Sequence, residues 1–287
     1  MIRKISLKQS LKIIRWRYRR GIAALRWGPE SLGKSPAILG NAMPKSGSHL
    51  IFQILQGLPK IGPAVNPGFP PLNRSEDNRK LSSEEILSNI MRMKPGDIAY
   101  GYIHSIEPYI SIFKQAGKAT VFVFRDPRDV IVSHVFYASE IHNGHGMHEY
   151  YTSNLDSLEE RINAAILGVK VPGYELAPIR TKYQKYLNWF DIPEVSCIRF
   201  EDLILDRENT LKKILEYLIE RGFSTTMATD RAIQVLQNSI QPKRSGTFRK
   251  GEPGNWVDHF TENNIQTFKN ATGDLLNRLG YEQSPDW

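Results

Sequence analysis

Pro44-Lys45-Ser46-Gly47-Ser48 joins two segments of opposite character, and that junction decides the fold. Residues 36–43 form a short apolar run that reads as a buried strand. Leu50, Ile51, Ile54, Leu55 and Leu58 then recur at helical spacing. A Gly/Ser turn from strand to helix leaves backbone N–H groups unpaired, and the helix N-terminus adds partial positive charge. Such a turn can cradle an anion, and Lys45 brings a full charge to it. In a Walker loop the lysine follows the last glycine, whereas here Lys45 precedes Gly47. The order suits a phosphate-like group and argues against an ordinary ATPase. A ligand-free turn would have the same composition, so the pentapeptide leaves both readings open.

Outward from this turn, strand and helix patterns alternate. A proline-rich stretch (Pro59, Pro63, Pro67, Pro70, Pro71) excludes regular structure. Residues 82–93 read as a helix capped by Ser82 or Ser83 before Glu84 and Glu85. A strand over 97–104, a helix over 106–117 and a buried strand over 119–125 follow. Asp126-Pro127-Arg128-Asp129 turns into a helix over 128–139, with Asp126 as cap and Pro127 at the first helical position. Helical stretches around 155–168 and 174–190 precede a strand over 195–200. The rest is helical apart from a loop at 240–258. This alternation predicts an α/β fold, a single three-layer domain around a central parallel sheet of about five strands flanked by helices. Ligands of such sheets sit outside the carboxyl ends of the strands, where Lys45–Ser48, His104 and Arg125–Asp129 all fall.

The charge is uneven. Of 38 lysines and arginines, nine lie in residues 1–28, which hold no acidic residue; the remaining 29 face 30 acidic ones. The net charge of +8 therefore belongs to an arm, and it is no argument for nucleic-acid binding by the body. The expected division is an arm over 1–34 and a domain over 35–287. Leu7, Leu11, Ile14, Tyr18, Ile22 and Leu25 share one helical face, with Lys8, Lys12, Arg15, Arg19 and Arg26 alongside and Trp16 and Trp27 nearby. A basic amphipathic helix of this kind suits peripheral contact with an anionic membrane through residues 1–28. Packing of the apolar face on the body is the alternative, and an organellar transit segment a third. The single cysteine, Cys197, excludes an internal disulfide; with no signal-like segment it suggests a reducing, cytoplasmic setting. No apolar run approaches the roughly 20 residues that span a bilayer.

Two further constellations carry anion chemistry. Arg125 can offer a planar fork to a phosphate, and Ser133 lies eight residues on, about two turns into the helix. Phe248 to Thr261 is a glycine-bearing loop with adjacent Arg249 and Lys250, running into a helix capped near Thr261.

Taken together, these pieces resemble the cytosolic-type sulfotransferases that use 3′-phosphoadenosine 5′-phosphosulfate (PAPS). The family's P-K-S-G-T-T-W loop is matched by Pro44-Lys-Ser-Gly-Ser-His-Leu50, and its Arg…Ser pair by Arg125 and Ser133. Its R-K-G-x-x-G-D-W-K-N-x-F-T loop is matched by Arg249-Lys-Gly-Glu-Pro-Gly-Asn-Trp-Val-Asp-His-Phe-Thr261. The histidine between the first two motifs is matched by His104. The resemblance implies a P-loop NTPase-like fold and transfer of a sulfuryl group to a hydroxyl or amine of a small-molecule, sugar or lipid acceptor. Lys45, Ser46, Gly47, Ser48 and His49 would hold the 5′ end. Arg125, Ser133, Arg249, Lys250 and Gly251 would hold the 3′-phosphate, with Phe200 near the adenine. His104 would act as base and Lys45 would stabilise the leaving phosphate, with no metal required. An ATP-dependent or non-catalytic nucleotide-binding protein is the competing reading.

Departures are informative. Leu50 and His49 replace a tryptophan and a threonine, and Asn255 an aspartate. The dimerisation pattern of the family is not matched, since Val257, Glu262 and Gln266 stand at its positions. Trp256 is assigned to the core or the adenine. His142, His145 and His148 either bind zinc or copper or flank the acceptor pocket. That pocket is expected from the loop at 59–75 and the segment 137–180, with Phe69, Tyr137, Tyr150 and Tyr151 as aromatic candidates.

Overall fold

Strands β1 (Ala37–Ala42), β2 (Ile98–Gly101) and β3 (Lys118–Phe124) follow one another along the chain, then a small hairpin of β4 (Val169–Val171) and β5 (Tyr174–Leu176), then β6 (Val195–Arg199). The structure, a computed structural model, describes residues 7–241, 251–284 and 287. The central sheet is parallel, in the order β2-β1-β3-β6. It has four strands among the described residues, where about five were expected. Both faces are covered, which is why β1 and nearly all of β3 are buried without a break. Alternate residues go to opposite sides. Leu39, Phe122 and Phe124 enter one core with Phe113 and Trp189, whereas Ile38, Val121 and Val123 enter the other with Ile54 and Leu218.

Chain order through the sheet fixes where a ligand sits. After β1 the chain moves outward to β2, and after β3 it moves the opposite way to β6, so β1 and β3 flank the switch point. Ala42 and Val123 are in register, and Met43 N–H donates to Val123 O (3.2 Å). The turn after β1 and Arg125 after β3 therefore leave the sheet side by side.

Local signals held where they were chemical. Ser82 caps the helix Ser83–Met91 in a capping box with Glu85, and Asp126 caps Pro127–Phe136 by accepting from Arg128 N–H. Thr261 caps Glu262–Thr272. Three expectations fail. The proline-rich stretch is not wholly irregular, since Leu58–Ile61 is a short helix with Pro59 in its first turn, where no intrahelical N–H is needed. The helix read over 106–117 is one short segment, Tyr109–Phe113. The stretch read as helical over 174–190 begins instead with β5, then forms the helix Ile179–Gln184 and a 3-10 turn, Leu187–Asp191. Pro172-Gly173 supplies the turn between β4 and β5, with Gly173 at φ 73°. Gly168 (φ 77°) ends the preceding helix so close to β5 that a Cβ would lie 2.6 Å from Leu176 O.

The arm is helical over Leu7–Trp27 and lies against the domain, though not by the face its sequence suggested. Trp16 Nε1–H and Arg20 both donate to buried Asp97 (2.9 and 2.8 Å), Arg19 donates to Asn66 O, Lys12 pairs with Glu76, and Ala23 is buried. Leu11, Ile14, Tyr18, Ile22 and Leu25 point away from the body, Tyr18 being 70% and Leu25 89% exposed. Burial of Asp97 needs the Trp16/Arg20 face turned inward, and a helix rotated to bury its apolar stripe would strand that carboxylate.

Candidate active site

The loop after β1 is strained in the way a ligand cradle requires. Lys45 has φ 68° and Gly47 φ 89°, and Gly47 starts the helix Ser48–Leu55. A Cβ on Gly47 would lie 2.5 Å from Phe200 Cδ2, so the Phe200 ring occupies the space a side chain would need. Ser46 is fully buried, and its Oγ has no hydrogen-bond partner. Ser48 Oγ and the Tyr102 hydroxyl are 3.0 Å apart, joining the loop to the chain leaving β2. Lys45 Nζ lies 3.8 Å over the ring of Tyr137, the first residue of a π-helical turn, Tyr137–Ile141, that continues the helix Pro127–Phe136. The wide turn sets Tyr137 facing the loop. His49 is half-buried, and burial, followed by the charge of Lys45, holds its imidazole below its ordinary pKa.

Arg125 is fixed from several directions. Its guanidinium sits 4.5 Å over the Phe200 ring and donates to Asp129 Oδ2 and Glu252 O (both 3.1 Å), while its buried Nε has no partner among the described residues. Tyr183 donates to the Arg125 carbonyl (2.6 Å). Asp129, one turn along and wholly buried, also accepts from Gly254 N–H and Trp256 N–H (2.9 Å each). It thereby fastens the glycine-bearing loop to Arg125. Sequence reasoning missed this role, although the i,i+4 spacing of Arg125 and Asp129 was there to see. Trp256 belongs to the core: it packs on Phe260 and Trp287 and carries the buried Arg128 guanidinium 4.0 Å over its ring. Arg249 and Lys250 lie outside the described residues.

His104 stands between two anchored neighbours. The Asn41 side chain donates to Ile103 O (2.9 Å) and accepts from Ile103 N–H (2.8 Å), and Trp189 Nε1–H donates to the same carbonyl. Ser105 N–H donates to Lys185 O (2.7 Å), and its Oγ accepts from Asn188 N–H. The imidazole meets Tyr186 edge-on at 5.1 Å. Burial, then the charges of Lys185 and Lys80, push its pKa below the ordinary value.

All these groups open onto one cavity of about 970 Å³. Lys45, Gly47, Ser48, His49, His104, Arg125, Ser133, Phe200 and Gly251 line it; Ser46, wholly buried, does not. The volume is at the upper end for single-ligand sites and leaves room for two reactants. The buried Arg125 Nε, without a hydrogen-bond partner among the described residues, together with the positive-φ turn, fits a bound anionic group.

The other wall was less legible. Tyr137, His145, Tyr174 and Lys182 line it, while Phe69 packs on Trp16 and Tyr150 and Tyr151 belong to the core. From the proline-rich side only Asn73 and Arg74 reach the cavity. Among the histidines, His142 stacks on Tyr137, and the His148 ring meets Ala138 O (3.0 Å). Among the described residues no three His, Cys, Asp or Glu side chains are grouped to hold a metal ion.

Comparison with known proteins places the architecture. A curated relative, 3-alpha-hydroxysteroid sulfotransferase from Cavia porcellus, is 22% identical over 172 residues, or 55% of each chain, so the match spans about half the length of that protein. Mouse sulfotransferase SULT7A1 complexed with PAP superposes with a TM-score of 0.58 at 14% identity over 89% of each chain. Retinol dehydratase in complex with androsterone and PAP gives 0.53 at 15% identity over 86% of this chain and 83% of that one. At these identities the superpositions speak for the fold. The sulfotransferase domain is matched over residues 109–280, more than half of the chain, and the protein belongs to the sulfotransferase-domain family.

Proposed function

We propose that the protein transfers a sulfuryl group from PAPS to a hydroxyl or amine of an acceptor. The observation that carries this is the convergence of Lys45, Arg125 and His104 on one cavity at the switch point of the sheet. PAPS supplies a sulfur already bonded to a phosphate that can leave. Lys45 and the N–H groups of the following turn meet the charge that grows on that phosphate, and preorganised donors of this kind are among the largest contributors to catalysis. Arg125 and Ser133, with Gly251 and the adjoining Arg249 and Lys250, hold the 3′-phosphate; Phe200 supports the nucleotide beneath the loop. His104, neutral at physiological pH because burial and nearby lysines disfavour its charged form, takes the acceptor proton. The acceptor O–S (or N–S) bond forms as the S–O bond to phosphate breaks.

Thermal shift with PAP, ATP and GTP tests the donor. Stabilisation by PAP above ATP is expected, and stabilisation by ATP without PAP would leave the nucleotide assignment wrong. Lys45→Ala and His104→Ala should each remove transfer while Arg125→Ala chiefly raises the PAPS KM. Near-normal kcat in His104→Ala would exclude the base.

The outward stripe of the arm favours a second contact, with an anionic membrane. Leu11, Ile14, Tyr18, Ile22 and Leu25 are exposed together on a helix without an acidic residue, with Arg15 and Arg17 exposed beside them. Among the described residues no helix is long and apolar enough to cross a membrane. Co-sedimentation with phosphatidylserine vesicles, lost in Ile14→Asp/Tyr18→Asp, is the expected result; equal binding to neutral vesicles, or none, would exclude it.

A further inference from the structure

Beyond the groups assigned to the donor, the cavity holds a cation with no ion-pair partner among the described residues. Lys182, on the helix Ile179–Gln184, lines the wall that continues from β5. Among the described residues it joins no ion pair; Glu175 also lines the cavity but is exposed and beyond ion-pair distance of Lys182. Burial alone acts on it, bringing its pKa down to about 8, so it remains largely charged at neutral pH. Taking an ammonium out of water without a counter-charge is unfavourable, and a cation kept there calls for an anion in the working complex.

Two imidazoles complete the surroundings. Among the described residues, His134 Nε2 is buried without a hydrogen-bond partner, and its ring lies 5.2 Å from that of His145. Met147 N–H donates to His145 Nδ1 (3.1 Å), which leaves the proton of the neutral ring on Nε2, available as a donor. The charged groups acting on His134 and His145 are Lys182, Lys45 and neighbouring histidines, with no carboxylate among them. An ammonium and two imidazoles without an acid describe an anion site. Arg74, Lys80 and Lys185 also line the cavity.

We propose that Lys182, His134 and His145 form an anion subsite for the acceptor, so that the acceptor carries a carboxylate, phosphate or sulfate group besides the nucleophile that is sulfated. This rests on the sulfotransferase function proposed above. Neutral phenols and sterols would leave Lys182 without a counter-ion, whereas an acidic acceptor is steered into the cavity and fixed at a distance from His104.

The test uses the PAP-loaded full chain. 4-Methoxybenzoate, phenyl phosphate and phenyl sulfate, none of which can be sulfated, are titrated calorimetrically beside neutral anisole. At least one anion should bind and anisole should not, with the strongest of the three identifying the group recognised. Lys182→Met should weaken anion binding tenfold or more, Lys182→Arg should restore most of it, and PAP affinity should stay within twofold. In turnover, 4-hydroxybenzoate should exceed its methyl ester in kcat/KM by tenfold or more, a preference that Lys182→Met abolishes. Equal binding of anions by wild type and Lys182→Met, or preference for the ester, would overturn the subsite. A parallel loss of PAP affinity in Lys182→Met would assign Lys182 to the donor and overturn it too. Failure of wild type to bind PAP would instead refute the sulfotransferase function itself.

Discussion

Replacing Asp129 by alanine strips the anchor from the glycine-bearing loop while leaving every residue assigned to PAPS in place. The carboxylate accepts from Gly254 N–H, Trp256 N–H and Arg125, at 2.9, 2.9 and 3.1 Å, with its side chain wholly buried. Hydrogen bonds to a charged acceptor are worth about 1.5–3 kcal/mol each. Removing one partner of a buried pair typically destabilises by about 3–5 kcal/mol, because the other charge is left unpaired. The three losses share one site and do not add, so the expected loss is about 3–5 kcal/mol in total. Against a domain stability of about 5–15 kcal/mol, the variant stays mostly folded. The loop must then be ordered when PAP binds, and re-forming about 1.5–3 kcal/mol of lost contacts corresponds to a roughly 10- to 100-fold higher Kd. Asp129→Asn, which keeps one acceptor oxygen, should fall between. Urea unfolding and PAP calorimetry read the two effects separately. If Asp129→Ala bound PAP within twofold of wild type, the loop would not depend on this carboxylate and the reasoning would fail.

Three further outcomes are expected. Gly47→Ala adds a left-handed penalty of about 1–2 kcal/mol to the clash with Phe200; a cycle with Phe200→Leu should show coupling, and strictly additive melting shifts would deny the contact. His104 must be neutral to act, and its pKa lies below its ordinary 6.5, so kcat/KM should rise with pH through a midpoint under 6.5 and level off above it. Lys185→Met removes a positive neighbour and should move that midpoint upward; a midpoint above 7 in wild type would assign the limb to another group. Arg20→Met leaves Asp97 buried without its cation and should destabilise by about 2–3 kcal/mol at pH 7, allowing for the partial exposure of Arg20. Burial already raises the Asp97 pKa, so its neutral form is reached earlier as pH falls. The loss should therefore shrink at pH 5, and a larger loss there would contradict that sign.

What the sequence made legible was local. Lys45 to Ser48, the Asp126 and Thr261 caps and the strand ends at His104 and Arg125 announce themselves within a few residues, because turn chemistry and capping act over one turn. Asp129 and Lys182 did not. Their roles come from partners at 254–256 and from a wall assembled over more than 40 residues, and an aspartate or lysine in a helix looks alike wherever it points. The hairpin β4–β5 was lost because three-residue strands carry too little periodicity to compete with the helical pattern around them. The arm shows the converse error: its apolar stripe was legible, but Asp97, seventy residues downstream of that helix, decides which face docks.

Tyr137, His145, Tyr174 and Lys182 all belong to the single excursion between β3 and β6, whereas Lys45 and Arg125 emerge from the sheet itself. On the proposed function, the two reactants would thus be met by a frame at the sheet's carboxyl edge and by an excursion whose ends rest on adjacent, hydrogen-bonded strands. Such a layout permits segmental exchange beyond the helix Pro127–Phe136: residues from Tyr137 onward can diverge and reshape the far wall of the cavity while Asp129 and Ser133 stay in place.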